Sequence, residues 1–543
     1  MQLTMKSALT LLALMMVSTI WSQNVNIRNG AAFKVGGYEY VEDVLSINRD
    51  GSSTVLLKAG FFGNKFRVLN LDKNLSEESK YQIEIPKVEN KKVNYLSSGQ
   101  YGDKVYFFST FKDRKAKTIS LFASEMDPKN GKFIKHHNPT TLNYDKLITF
   151  GDRFTMKRSV DSTKILFIAQ YPVKLKDPAR YKLTVCNNDM SVVWEKDIDF
   201  SQQANALTFD GALVDKYGNV HLLVTEKMSR EEAKEEGKGI FDDKWRAELY
   251  SYYHESGKVV HYDLEKNLSD KVVQNIHLTT NDAGEVIGVG FYSDRKFWGQ
   301  GYSGFYSIRI DPKSQEIVSA NASPFTEDLK AQLIGERKAS KGKDLPIYAV
   351  RKVIPLDNGK MGVVTEHYVY TKRTSTDDNG VEHTSETWLY GDVLVMFLDE
   401  EGKMASYGVL KKKQYCTAKD GNASLFQKLG IGAYPGVNEL PYYGIGIMEV
   451  NNNIHIIFND NPKNPIRIAD GKKPKSVRQR NAITELVSFT PDGKMMRNTL
   501  FKAKDGEYRM PIMPRQSLQY SNNDMIIFGR KKKNFRVLGV SIQ

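Results

Sequence analysis

A chain of 543 residues, 40% of them hydrophobic, has enough apolar material to bury a core without covalent staples. Its two cysteines, Cys186 and Cys416, exclude a disulfide framework, which needs several at close spacing, and read as two buried thiols. The formal charge of +14 points to acidic partners or simple solubility and is silent on fold, while 28 Tyr and 26 Phe suit half-buried β-surfaces.

The first 22 residues carry Lys6 and an apolar run from Ala8 to Ile20, with Ser22 as a small residue before Gln23. This reads as a signal peptide, too short to span a bilayer, and no cysteine beside it offers a lipid anchor. The remaining chain lacks any apolar run of ~20 residues, so no transmembrane segment is expected. Val25–Val35 follows as a strand without a partner.

From there one unit recurs eight times: an apolar strand, a tight turn and a shorter apolar strand. It is clearest between Tyr443 and Phe458, where Asn451, Asn452 and Asn453 tolerate the left-handed backbone of a hairpin turn. The other turns fall at Asp50-Gly51, Gly102-Asp103, Asp161-Ser162, Tyr217-Gly218, Ala283-Gly284, Asn358-Gly359 and Asn523-Asp524. Third strands follow at Phe66–Leu71, Thr118–Ala123, Tyr181–Cys186, Glu248–Tyr253, Phe305–Ile310, Val393–Leu398, Ala482–Phe489 and Phe535–Val540. Second turns such as Pro491-Asp492-Gly493 lead into fourth strands.

Four antiparallel strands repeated every ~50–75 residues specify an all-β propeller of eight blades, alternatively seven, in one domain from 23 to 543. A β-sandwich array competes, but has no fixed grouping by four. The last unit stops at Gln543 one strand short, and the N-terminal strand is expected to supply it and close the ring. One segment, Thr326–Arg337, has helical spacing.

In such a blade the loop between strands two and three emerges on the same side as the connection between blades. The eight loops of that kind hold 29 Lys and Arg against 17 Asp and Glu, nearly all of the chain's excess. They contain Trp245, Trp298 and Trp388, and the run Lys472, Lys473, Lys475, Arg478 and Arg480; an interblade segment adds Lys411, Lys412 and Lys413. A basic mouth bearing Trp suits an anionic glycan or an acidic protein surface. The plainer alternative is that long loops are polar and solvated.

Catalytic signatures are sparse. There is no His-Glu-x-x-His, no Cys-x-x-Cys and no phosphate-cradling loop, and neither a cofactor nor a nucleic-acid partner is expected. Glu366, His367, Glu382, His383 and Glu386, on two limbs of a hairpin, form an alternative metal set. Glu366, His367 and Tyr368 form an alternative catalytic set for a glycan-active lyase or glycosidase. Asn459, Asp460, Asn461 and Asn464 offer oxygen ligands without calcium-loop spacing.

Lys164-Ile-Leu-Phe-Ile, Met190-Ser-Val-Val-Trp194-Glu-Lys, Val364-Thr-Glu-His-Tyr368, Gly391-Asp-Val-Leu-Val395 and Ile456-Ile-Phe-Asn-Asp460 resemble uncharacterised exported propeller proteins of Bacteroidota. The resemblance implies fold and compartment, and no reaction. Leu538–Gln543 ends as a blade strand where many such proteins carry a sorting domain, which favours the periplasm or retention at the outer membrane by a partner. The expectation is therefore a non-enzymatic envelope module that docks a protein, such as part of an outer-membrane transport or secretion assembly, or an anionic glycan.

Overall fold

In the computed structural model, Asn451 and Asn452 both take positive φ (52° and 64°) and Val450 pairs directly with Asn453. That is the two-residue turn whose twist matches its flanking strands. Gly51, Gly102, Gly218 and Gly284 hold the same side of the backbone map at the corresponding turns of other units. The structure describes residues 24–36, 39–59, 65–88, 91–144, 154–229, 231, 245–265, 271–294, 301–377, 382–419, 440–502, 510–531 and 533–543. The expected signal peptide lies outside them.

The turns organise eight antiparallel sheets of four strands. Blade 1 is Tyr40–Ile47, Ser53–Ala59, Lys65–Leu71 and Glu77–Ile83; blade 2 is Asn94–Tyr101, Lys104–Asp113, Thr118–Met126 and Phe133–Asn143. Blade 3 runs Phe154–Arg158, Lys164–Gln170, Pro178–Asn187 and Val192–Gln203; blade 4 runs Leu207–Val214, Val220–Lys227, Trp245–Tyr252 and Val259–Asp263. Blade 5 is Lys271–Thr280, Val286–Asp294, Gly304–Ile310 and Ile317–Pro324. Blade 6 is Tyr348–Pro355, Met361–Thr376, Glu382–Leu398 and Met404–Leu410, with Gln414–Lys419 added on the third strand. Blade 7 comprises Gly446–Val450, Asn453–Asp460, Ile483–Phe489 and Met495–Lys502.

Blade 8 takes Ile512–Gln519, Asp524–Lys531 and Asn534–Ile542 from the C-terminal part of the chain, and Val25–Asn29 pairs on its outer side from Val25↔Ile542 to Asn29↔Leu538. The N-terminal segment, expected as a single strand over Val25–Val35, is split in two: after Asn29 it breaks at Gly30 and resumes as Phe33–Lys34. The break lets Gly30 approach blade 1, where a Cβ would lie 2.2 Å from the Leu75 carbonyl oxygen. Arg28 also donates to the Lys73 carbonyl (3.1 Å) in blade 1 and to the Tyr520 hydroxyl (2.6 Å) in blade 8.

Consecutive residues of a second strand face opposite neighbours, which is why these strands read as unbroken apolar runs. Leu222 and Val224 pack on blade 3 with Leu166 and Leu183, while Leu223 packs on blade 5 with Val286 and Ile308. Equivalent clusters join every adjacent pair, and Val55, Leu57 and Leu69 of blade 1 meet Ile526, Phe528 and Val537 of blade 8. Truncating a buried Phe in such a cluster costs about 3–5 kcal/mol.

The expected helix is Glu327–Ile334, with the Thr326 hydroxyl accepting the Leu329 N–H at 3.2 Å. Gly335 ends it before Arg337, and a four-residue turn of helix follows. A further short helix, Asn464–Ala469, has too few residues for a periodicity to be read. Cys186 is buried and its thiol pushed up to about 12 by that burial, whereas Cys416 is half-buried, and the two are not joined. Among the described residues no helix is long and apolar enough to cross a membrane.

Candidate functional site

The second-to-third connections of blades 6 and 7 fold together into a lobe above the ring. The stretch 366–391, expected as a loop, continues two blade strands into a hairpin whose limbs run 16 and 17 residues. Gln414–Lys419 pairs along the upper half of its second limb, from Tyr390↔Gln414 to Ser385↔Lys419. Trp388, Tyr390, Ala418, Leu440, Tyr443, Val477 and Ala482 make the apolar core of this lobe.

The blade 7 loop is pinned by its own amides. Asn464 donates to Asp460 Oδ1 (2.7 Å) and to the Lys475 carbonyl (2.9 Å), and its Oδ1 accepts the Lys475 N–H (2.7 Å). Asn459 donates to the Tyr442 and Ile512 carbonyls, and Asn461 to Ser476. The oxygen-rich run considered for calcium is thus a set of loop staples, with Asp460 also neutralised by Arg497.

At the base of the lobe lies a buried ionic knot. The register between Tyr348–Pro355 and Met361–Thr376 slips at Arg351, and that bulge turns its guanidinium back onto Glu366 (2.7 Å). Lys412 Nζ reaches the same carboxylate at 2.6 Å, and the two side chains are 0% and 1% exposed. Burial lowers the Lys412 pKa against the opposing pull of Glu366. Arg351 and Arg515 also approach the Tyr390 ring, at 5.9 and 5.5 Å from its centroid.

Three adjacent lysines therefore have three fates. Lys411 pairs with Asp392 at 2.8 Å, Lys412 is sealed in the knot, and Lys413 is exposed. Lys412 is corrected from surface contact to interior support. Lys472 pairs with Asp470 (3.0 Å), while Lys473, Lys475 and Arg478 are exposed with no carboxylate partner among the described residues. The Arg480 side chain and Trp298 lie outside the described residues. Trp388 is corrected to lobe core, and Trp245 stands apart, lining a cleft of about 280 Å³ between blades 4 and 5. Counting charge on loops alone also overstates the basic face, because strand carboxylates answer loop cations: Asp197 and Asp199 hold Arg180.

The alternative metal set does not assemble. The hairpin register places Glu366 opposite Val393, Glu386 opposite Lys372 and His383 opposite Ser375, so roughly 20 to 30 Å of strand separates Glu366 from the other limb's carboxylates and His383. His383 faces Asp377 (3.1 Å), Glu382 is exposed, and buried Glu386 accepts from the Tyr370 hydroxyl (2.5 Å). Among the described residues no group of three His, Cys, Asp or Glu side chains stands close enough to hold a metal. The catalytic alternative fails on geometry as well. Glu366 is consumed by two cations, Tyr368 lies under Arg351 (4.9 Å), and His367 packs on Tyr348 with its pKa lowered by burial.

A polar device missed in the sequence recurs between third and fourth strands. Buried Glu248 holds Arg246 and His261 (2.5 Å), and the matching position of blade 7, Glu485, holds Arg497 (2.8 Å). Near the start of the second strand, His221 and His455 bond Ser251 (2.7 Å) and Ser488 (2.8 Å). The available signal was a lone carboxylate inside an apolar third strand, as in Ala247-Glu248-Leu249. Repetition in different blades marks these as stitching of strands.

No family model and no curated protein matches this chain. Among solved structures it is similar to the WD40 domain of SCAP from fission yeast, at 10% identity over 96% of this chain and 94% of that one, with a TM-score of 0.36. It is also similar to Saccharomyces cerevisiae Sqt1 (7% identity, 94% and 98% covered, TM-score 0.39). A third is the β-propeller domain of the Trilobed protease from Pyrococcus furiosus (10% identity, 88% and 98% covered, TM-score 0.35). None of these likenesses is close enough to bear on function.

Proposed function

We propose that this β-propeller is a non-enzymatic binding module of the cell envelope, exported to the periplasm, which docks an acidic protein surface through the lobe over blades 6 and 7. The observation that carries this reading is the ridge of Lys413, Lys473, Lys475 and Arg478, exposed and unanswered by carboxylates among the described residues. On the same lobe Ile466 is 70% and Tyr415 47% exposed, and such apolar anchors beside cations favour a protein over a bare polyanion. The pinned loop beneath them keeps the ridge in one shape, which lowers the entropic cost of docking. The N-terminal strand is given the role of closing the ring, which holds blade 8, and the neighbouring lobe, in place.

The test is capture from native envelope with the full chain as bait. Lys473→Glu, Lys475→Glu and Arg478→Glu together reverse three exposed charges without touching the lobe core. Loss of the captured protein by at least tenfold, with parent capture weakening as salt rises, is expected. Undiminished capture by the variant sinks the reading. Retention of the parent on an immobilised polyuronate, with no protein captured, would move the ligand to an anionic glycan.

A further inference from the structure

The cleft that holds Trp245 differs from the ridge in shape and chemistry. The inner strands of both blades that flank it slip out of regular pairing where they line the cleft. Leu207–Val214 slips between Phe209 and Gly211, so Asp210 is bulged out, and Lys271–Thr280 slips between Gln274 and His277. Asn275, inside the second bulge, has a φ of 51°, a conformation that costs about 1 kcal/mol outside glycine. Bulges re-aim side chains, and these two bring a carboxylate and two side-chain amides to one opening.

The polar groups are held in position from behind. The Thr225 hydroxyl donates to Asp210, the Gln274 amide donates to Ser293 Oγ at 2.7 Å, and the Asn275 amide donates to the Tyr302 hydroxyl. Each amide keeps a carbonyl oxygen and a second N–H for a ligand, and a carboxylate accepts several donors at once. Asp210 keeps surface open to the cleft, yet surrounding protein desolvates it and lifts its carboxyl above the ordinary range. Thr208 and the half-buried Trp245 complete the polar and aromatic walls.

The described lining offers a carboxylate and amides and, among the described residues, no Lys, Arg or His, a donor set that favours an uncharged ligand over a carboxylate, sulfate or phosphate. The volume of about 280 Å³ falls just under the range of about 300–1,000 Å³ typical of drug-sized ligands, which matches one ring and excludes a long segment. We propose that the cleft binds a single uncharged pyranose unit of a glycan, its C–H face on the Trp245 indole and its hydroxyls on Asp210, Thr225, Gln274 and Asn275. An indole supplies an apolar plane, and paired amides and a carboxylate satisfy vicinal hydroxyls that would otherwise be buried without partners.

The site does not rest on the cationic ridge, and its test is separable. The full chain is titrated calorimetrically with gluco-, galacto- and manno-configured neutral oligosaccharides and with an oligouronate. At least one neutral series is expected to bind, with a tenfold or greater loss in Trp245→Ala and a several-fold loss in the isosteric Asp210→Asn. The ridge variant is expected to bind sugar as the parent does. Thermal unfolding of both cleft variants guards against misfolding, and Asp210→Asn carries the test if Trp245→Ala fails to fold. The inference is overturned if no neutral series binds the parent, if binding survives both substitutions, or if the oligouronate is the ligand lost with Trp245.

Discussion

Glu366 is held by two cations, and the consequences of removing each partner differ in order. Glu366→Gln leaves Arg351 and Lys412 facing each other with no neutralising charge, and stripping one partner from a buried pair costs about 3–5 kcal/mol. Lys412→Met leaves Glu366 still paired with Arg351 and replaces a desolvated ammonium with an apolar chain of similar length, so no buried charge is left unpaired and the loss is smaller. Urea unfolding is expected to show the larger loss for Glu366→Gln by about 2 kcal/mol or more; the reverse order would mean that Lys412, not Glu366, anchors the knot. Two other groups, buried His455 and half-buried Asp43, set opposite pH slopes. Burial pushes His455 down from 6.5 to about 4, so the unfolded chain takes up that proton first as pH falls. Its contribution is intact above pH 6.5 and about 3 kcal/mol of stability is lost by pH 4. Burial lifts Asp43 from 3.8 to about 6, so the folded state keeps a proton that the unfolded chain releases, and stability falls as pH rises through that window. Relative to the parent, His455→Gln is expected to be least damaging near pH 4 and most damaging above pH 6.5. Asp43→Asn is expected to stabilise by about 1–2 kcal/mol at pH 7, and not at pH 4. Urea midpoints at the two pH values check both signs.

Turns and second strands were legible because each has a local cause. A two-residue hairpin at Asn451 and Asn452 requires positive φ, and a stretch of strand buried on both faces, such as Ile456–Phe458, is apolar throughout. The lobe was not legible, because its causes are distant. Glu366 through Thr376 reads as polar loop since, beyond the blade, neither face of that limb enters the ring, and what buries Trp388 arrives from residues 418 to 482. Within Lys411-Lys412-Lys413 the side chains are identical, and only the position of Asp392 and Glu366 separates a half-buried pair, a sealed ammonium and an exposed one. The N-terminal strand is the element whose removal discriminates best. Deleting residues 24–36 strips Val25 and Ile27 from the cluster between blades 7 and 8, removes Phe33 from the one between blades 8 and 1, and bares the edge of Asn534–Ile542. Loss of roughly 10 °C or more in the thermal midpoint is expected, with concentration-dependent association through the bared edge. An unchanged midpoint would mean that this strand is decoration.

At the scale of the molecule, the eight interblade clusters form a cycle, so no blade is intrinsically first or last. The first and last described residues meet: the Gln543 N–H donates to the Asn24 carbonyl at 3.1 Å. Joining residue 543 to 24 by a short linker and opening the chain at Ser314-Gln315, in the turn between the third and fourth strands of blade 5, moves the two-ended blade from 8 to 5. Ile317–Pro324 then leads the chain and pairs with Gly304–Ile310 near its end, as Val25–Asn29 does with Asn534–Ile542 in the parent. Because chain ends that lie close together tolerate such permutation, the product is expected to unfold cooperatively within a few degrees of the parent. Deleting Ile317–Pro324 from the permutant should then cost about what deleting the N-terminal segment costs the parent, since both remove the strand that joins the two ends of one blade. A permutant that stays folded without it, while the parent collapses without Val25–Asn29, would place the special stability in blade 8 and not in the closed cycle.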